Sequence, residues 1–172
     1  THGVTKDRDQ LKHNPGPWYY EMQTLGFNYR MTDIQAALGC TQLKKLDGFV
    51  KRRREIAKQY DGAFSDYNWI HPIKEQAHYE SSYHLYVVQI DFERIGKTRA
   101  DVMNELKEKG VGTQVHYIPI VDQPYYKEHV NVTGNFDNCR TYYKQALSLP
   151  MYPLLDEGDV ETVAEALIGI YK

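Results

Sequence analysis

A chain of 172 residues, 41% hydrophobic and 26% charged, lies within ordinary globular usage and is long enough for a domain with its own core. Its 21 Lys and Arg against 23 Asp and Glu leave a formal charge of -2, which gives no electrostatic basis for general nucleic-acid binding. No apolar run approaches the roughly 20 residues of a membrane-spanning helix, and the opening Thr1-His2-Gly3-Val4 has neither a basic start nor an apolar signal core. Two cysteines, Cys40 and Cys139, fit no metal-ligand spacing, so a reduced, cytoplasmic setting is expected. None of the seven histidines forms an HxxxH or HExxH pair, and no metal site is expected.

Residues 1–31 lack sustained periodicity and contain the breaker run Asn14-Pro15-Gly16-Pro17. Such a stretch is either a functional loop or a segment that packs against something outside this chain. Thr32-Asp33-Ile34-Gln35 has the form of a capping box. Behind it Ile34, Ala37, Leu38, Leu46, Phe49, Val50, Ile56, Ala57, Tyr60 and Phe64 fall at helical spacing, which predicts one long helix over about 32–64. Cys40 is expected on it as a buried small hydrophobe. Lys51-Arg52-Arg53-Arg54 spreads around most of a helix circumference and reads as solvated or locally paired.

Downstream, Tyr83–Asp91 reads as a strand from its β-branched and aromatic residues. Thr98 caps a predicted helix to about Lys109, with Gly110 as its C′ glycine. Val111–Tyr117 is a second strand candidate, and Asn68–Ile73 a third that Pro72 would confine to an edge. Asn138–Ala146 is a predicted short helix. Val160, Val163, Ala164, Leu167 and Ile168 form the stripe of a last helix opened by Asp156, Glu157 and Asp159. Strands interleaved with helices indicate an α/β or α+β domain.

No GxSxG, Walker A or GxGxxG occurs, and spacing alone reveals no reaction. The segment Gly26-Phe27-Asn28-Tyr29-Arg30-Met31-Thr32-Asp33-Ile34-Gln35-Ala36-Ala37 adds a different signal. It resembles the GxNxRxxxxQAA signature of the DegT/StrS-type aminotransferases, which use pyridoxal phosphate (PLP) to aminate keto-sugar nucleotides. The resemblance spans nearly the whole chain. His2-Gly3, Pro17-Trp18-Tyr19-Tyr20-Glu21, Arg52–Ala57, His84–Val88, Val115–Pro119, Gln123–Tyr126 and Leu147–Pro153 match further family motifs in order. The combined wording is most similar to the UDP-aminosugar transaminases of pseudaminic-acid biosynthesis.

The resemblance implies the C-terminal portion of a fold-type I aminotransferase: a small mixed or antiparallel sheet with flanking helices and one long N-terminal helix. It divides the chain into an interface and active-site loop at 1–31, a long helix at 32–66 and a small domain at 67–172. The family's Schiff-base lysine belongs to a large domain upstream, so no catalytic residue is expected in this chain, which alone should be inactive. The intact parent would move an amino group from an amino acid, glutamate in the resembling enzymes, to a keto sugar nucleotide in polysaccharide or glycan biosynthesis. A homodimer, without nucleic-acid or membrane partners, is implied. The alternative is a non-catalytic sugar-nucleotide-binding or oligomerisation module.

For cofactor binding the match selects Asn28, carried onto the asparagine that reaches a neighbouring subunit's PLP phosphate; the competing reading is a turn residue. For substrate binding it selects Arg30, His116, Tyr117, Tyr125 and Tyr152. Arg30 can fork onto a phosphate, or pair with Asp33 or Glu21. His116 and Tyr117 enter a proline-bounded loop, where strand alternation turns one of them inward. His84, among apolar neighbours, is expected to be a hydrogen-bonded core histidine.

Overall fold

Thr5 and Glu21 are brought opposite each other by the antiparallel pairing of Val4–Thr5 (β1) with Glu21–Met22 (β2), in a computed structural model that describes residues 2–13 and 15–171. Asn14 of the breaker run lies outside the described residues. The chain divides into two compact units, one up to Leu46 and one from Asp47. In the first, Glu21 organises the loop between the two strands. Its carboxylate accepts the backbone N–H groups of Lys12 and His13, each at 3.0 Å, the Tyr19 hydroxyl at 3.0 Å and the Gln23 amide at 2.8 Å. These bonds, the one from Lys12 first, hold the Glu21 carboxyl below the usual carboxylate range.

Helix α1 spans Asp33–Leu43 and opens on the predicted box: Gln35 N–H donates to Thr32 Oγ1 at 3.3 Å, and Thr32 N–H to Gln35 Oε1 at 3.0 Å. The single helix expected over 32–66 is instead two, because α2 starts afresh at Leu46 and runs to Phe64. At the junction Lys45 N–H bonds the Gln42 carbonyl, an i→i−3 tightening, while the Thr41 hydroxyl donates to the Leu38 carbonyl at 2.7 Å. A side chain competing for helix carbonyls and a tightened last turn end the α-ladder. Apolar spacing continues across the break and so conceals it. Nothing on α1 is buried, and Cys40 is exposed rather than a core hydrophobe.

The second unit holds the core. Ile70–Pro72 (β3), Tyr86–Ile90 (β4) and Ala146–Leu149 (β5) form an antiparallel sheet in the order β3-β4-β5. Pro72 lies on the edge strand, where a missing N–H costs no ladder bond. Tyr86, Val88 and Ile90 alternate inward on β4 and meet Ile56, Tyr60 and Phe64 of α2 in one cluster with Trp69, Leu106, Leu147 and Leu167. Short helix α3 (Phe92–Ile95) ends on Gly96; α4 (Arg99–Glu108) carries the predicted Thr98 cap, followed by Gly110 at φ 79°. Then come α5 (Pro124–His129), α6 (Asp137–Gln145) and α7 (Glu157–Ile168), the last with a capping box between Asp156 and Asp159.

The edge strand expected within Asn68–Ile73 is β3, and one strand expectation is corrected. Val111–Tyr117 makes only an isolated bridge, Gln114 to Ser148, because the Val115 N–H turns to the Gln114 side chain at 2.9 Å instead of to a ladder carbonyl. The sheet is completed instead by β5, which reads in sequence as a helix end and a loop. All four of its residues are buried, so it has no polar–apolar alternation to betray it.

Candidate functional site

The signature segment is held against the opening turn by backbone geometry. His2 N–H donates to the Phe27 carbonyl at 3.1 Å and Gln23 N–H to the Gly3 carbonyl at 2.8 Å. A Cβ at Gly26 would overlap the Gly3 nitrogen, so only glycine permits this approach. The chain thereby presents His2, Val4, Lys6, Tyr20 and Arg30 around one concavity of about 630 Å³. Arg30 forms no ion pair with Asp33 or Glu21, contrary to that reading, because Glu21 is occupied by its own loop. Two fixed cations and a histidine face the concavity without a carboxylate in its lining, which makes it receptive to an anion. Asn28, two residues before Arg30, is exposed with no hydrogen-bond partner among the described residues.

In the second unit His116 is half-buried, with Nδ1 2.7 Å from Ser148 Oγ. Tyr117 stands 71% exposed, its ring edge-on to the less exposed His116, in a segment that is not a strand. Tyr125 on α5 is exposed and packs edge-on against His129. Tyr152 is half-exposed in the loop after β5. His116, Tyr117, Tyr125 and Tyr152 share no hydrogen bond with one another among the described residues; they occupy two separate loops and helix α5. His84 is exposed before β4 begins, not a core histidine.

The basic run on α2 positions two of these loops. Arg53 Nη1 faces the carbonyls of Tyr83 at 3.0 Å, His84 at 3.2 Å and Met151 at 3.0 Å. Arg52 reaches the Leu155 carbonyl at 2.6 Å and the Tyr60 hydroxyl the Pro150 carbonyl at 3.1 Å. Arg52 also pairs locally with Glu55 at 3.3 Å, and Arg54 pairs with Glu75 at 3.4 Å. The expectation of solvated or locally paired cations therefore fails for Arg53.

The chain matches the DegT/DnrJ/EryC1/StrS aminotransferase family over residues 1–168. It belongs to that family. It is 40% identical over 99% of its length to the spore coat polysaccharide biosynthesis protein SpsC of Bacillus subtilis, covering 44% of that protein. It is 33% identical over its full length to the UDP-4-amino-4,6-dideoxy-N-acetyl-beta-L-altrosamine transaminase of Campylobacter jejuni, covering 43% of it. Among solved structures it superposes on PseC of Helicobacter pylori, an aminotransferase involved in the biosynthesis of pseudoaminic acid. That match has a TM-score of 0.82 and 28% identity, over 99% of this chain and 43% of that one. The chain thus spans less than half the length of the curated relatives it matches.

Family membership accounts for the motif order, and the mixed helices and small antiparallel sheets are those of a fold-type I aminotransferase. Among the described residues no group of three or more His, Cys, Asp or Glu could hold a metal ion, and no helix is long and apolar enough to cross a membrane. Lys6, Tyr20, Arg53 and Ser148 were not legible as site residues. Lys6 follows Val4 at strand spacing, which puts both on one side of an extended segment and was the one signal available. Arg53 and Ser148 gain their roles from partners far along the chain.

Proposed function

We propose that the protein carrying this chain transfers an amino group from an amino acid, glutamate in the resembling enzymes, to a keto sugar nucleotide with PLP, in polysaccharide or glycan biosynthesis. The observation that carries the reading is the concavity lined by His2, Lys6, Tyr20 and Arg30, with the exposed Asn28 two residues before Arg30 in the chain. PLP and a nucleotide sugar both present phosphate oxygens, and these groups suit them. The Asn28 amide offers two N–H donors to the PLP phosphate, at no cost in displaced partners. Arg30 and Lys6 supply charge for the substrate's diphosphate, Arg30 as a fork and Lys6 as a point charge. Tyr20 adds a hydroxyl to this group; within the second unit, taken by itself, His116, Tyr117, Tyr125 and Tyr152 carry polar tips on aromatic rings, a chemistry suited to a sugar or a base.

PLP, when bound, supplies an electron sink for the carbon that gains or loses the amino group. What these residues contribute is binding, orientation and charge neutralisation. The family's anchoring lysine has no match here, so the chain by itself is expected neither to hold PLP covalently nor to transaminate. The substrate reading takes support from relatives whose names specify a UDP-sugar and a polysaccharide pathway.

Two titrations test the reading. In the full-length protein Asn28→Ala should weaken PLP retention by roughly 1–3 kcal/mol while leaving the thermal midpoint in place. In this chain Arg30→Ala and Lys6→Ala should each reduce affinity for UDP about tenfold, a loss of about 1.4 kcal/mol. Unchanged cofactor and UDP affinities in these variants would overturn it.

A further inference from the structure

Ser148 is the one buried polar residue among the described residues, at 4% exposure. It sits on β5 between Val87 of β4 and Gln114, and exchanges both backbone hydrogen bonds with Gln114, at 3.2 and 2.8 Å. Its neighbours Leu147 and Leu149 enter the core cluster, so strand alternation sends the serine side chain to the other face of the sheet. There the His116 ring covers it, with Nδ1 at 2.7 Å from Oγ.

The direction of that hydrogen bond follows from burial. A hydroxyl shut away from water must place its proton on an acceptor. Among the described residues the Ser148 hydroxyl has no partner other than His116. Serine therefore donates, and Nδ1 accepts. A neutral imidazole that accepts at Nδ1 carries its own proton on Nε2. Nε2 lies across the ring from Ser148, has no partner among the described residues, and belongs to a side chain that is still partly exposed.

We propose that Ser148 is a positioning residue that fixes His116 as the Nε2–H tautomer, so that His116 presents an N–H donor to a phosphate or sugar oxygen of the nucleotide sugar. The ligand-facing half of this statement rests on the substrate reading above; the serine–histidine half does not. Without Ser148 the ring is free to carry its proton on either nitrogen and to turn about χ2. A share of molecules then shows the ligand a lone pair, which repels a phosphate oxygen. The tautomer, and not only the packing, sets the contact.

Long-range proton–nitrogen correlation spectra of the nitrogen-15-labelled chain at about pH 8, above the ordinary histidine titration, read the tautomer of His116 directly. The expected result is an Nε2–H ring in the native sequence, a mixture of tautomers in Ser148→Ala, and a return toward Nε2–H in Ser148→Cys, whose thiol is a weak donor of similar size. An Nδ1–H ring in the native sequence would overturn the proposal, as would nitrogen shifts unchanged in Ser148→Ala. The first of these needs no variant, so a substitution that fails to fold does not remove the test. Titration with UDP then separates the two halves. UDP should move the His116 Nε2 signal, and Ser148→Ala should weaken UDP binding about two- to tenfold, the worth of one neutral hydrogen bond. The stated tautomer with no response to UDP would overturn the donor role and the substrate reading behind it, with the serine–histidine pair left standing.

Discussion

Gly26 approaches Gly3 so closely that a Cβ on Gly26 would overlap the Gly3 backbone nitrogen and the His2 carbonyl carbon. Gly3 itself sits at φ 69°, and a Cβ there would meet the Thr24 carbonyl. Both obstacles are backbone, so no side chain can move aside. Gly26→Ala should therefore separate the opening turn from the signature segment, at a cost of about 1–3 kcal/mol of strain. Hydrogen exchange checks this. The His2 and Gln23 amides, bonded to Phe27 and Gly3, should lose protection while the amides of β4 and β5 keep theirs. Equal protection in both sequences would show that the approach tolerates a methyl group.

Arg53 joins two loops to α2 through one nitrogen. Arg53→Ala leaves the carbonyls of Tyr83, His84 and Met151 without that donor and should lower stability by about 2–3 kcal/mol in urea titration. Because all three contacts converge on Nη1, Arg53→Lys, with three N–H groups on one atom, should recover more than half of the loss. A lysine variant no better than alanine would show that the guanidinium plane matters instead.

Tyr86 donates its hydroxyl to Asp61 at 2.7 Å and lies stacked on Tyr60 at 4.8 Å between ring centroids. Burial, and for Tyr86 the Asp61 carboxylate as well, pushes both phenols above their ordinary range. The fold thus favours the neutral phenols. That stabilisation is complete below the ordinary tyrosine pKa of about 10 and is lost as pH rises past it. The urea midpoint should stay level from pH 7 to 9 and fall steeply above about pH 10. Tyr86→Phe should cost about 1 kcal/mol at neutral pH and flatten the alkaline decline. A decline of the same slope in Tyr86→Phe would assign it to other groups.

Trp18, Leu25, Tyr29, Met31, Ile34 and Leu38 of the first unit are all exposed, Leu25 to 93%. Large apolar side chains left exposed in this number favour association, and isologous pairing is its commonest outcome. Light scattering over a wide concentration range should show self-association, reduced by Leu25→Asp with Ile34→Asp. A monomer at high concentration would remove the expected dimer.

The elements legible in the sequence share one physical trait: their determinants lie within four residues. Thr32 with Gln35, Thr98 with Asp101 and Asp156 with Asp159 close capping boxes at fixed spacing, and the helix starts follow. The β-branched and aromatic run Tyr86-Val87-Val88 marks β4 in the same local way. Where that trait is missing, the reading fails. The break at Lys44–Lys45 depends on which carbonyls Thr41 and Lys45 take, while the apolar periodicity runs on through it.

By itself the sequence determined the family, through motifs whose residues and order can be read without coordinates, and with it the expectation of a small mixed or antiparallel sheet flanked by helices. Only the tertiary structure decided that Ala146–Leu149 is a strand, since burial on both faces erases the alternation that announces one. It also decided the roles of Arg53 and Ser148. The carbonyls Arg53 holds lie 30, 31 and 98 residues away, and His116 lies 32 residues from Ser148. A hydrogen bond across such a separation is set by the path of the whole chain, which no local spacing encodes.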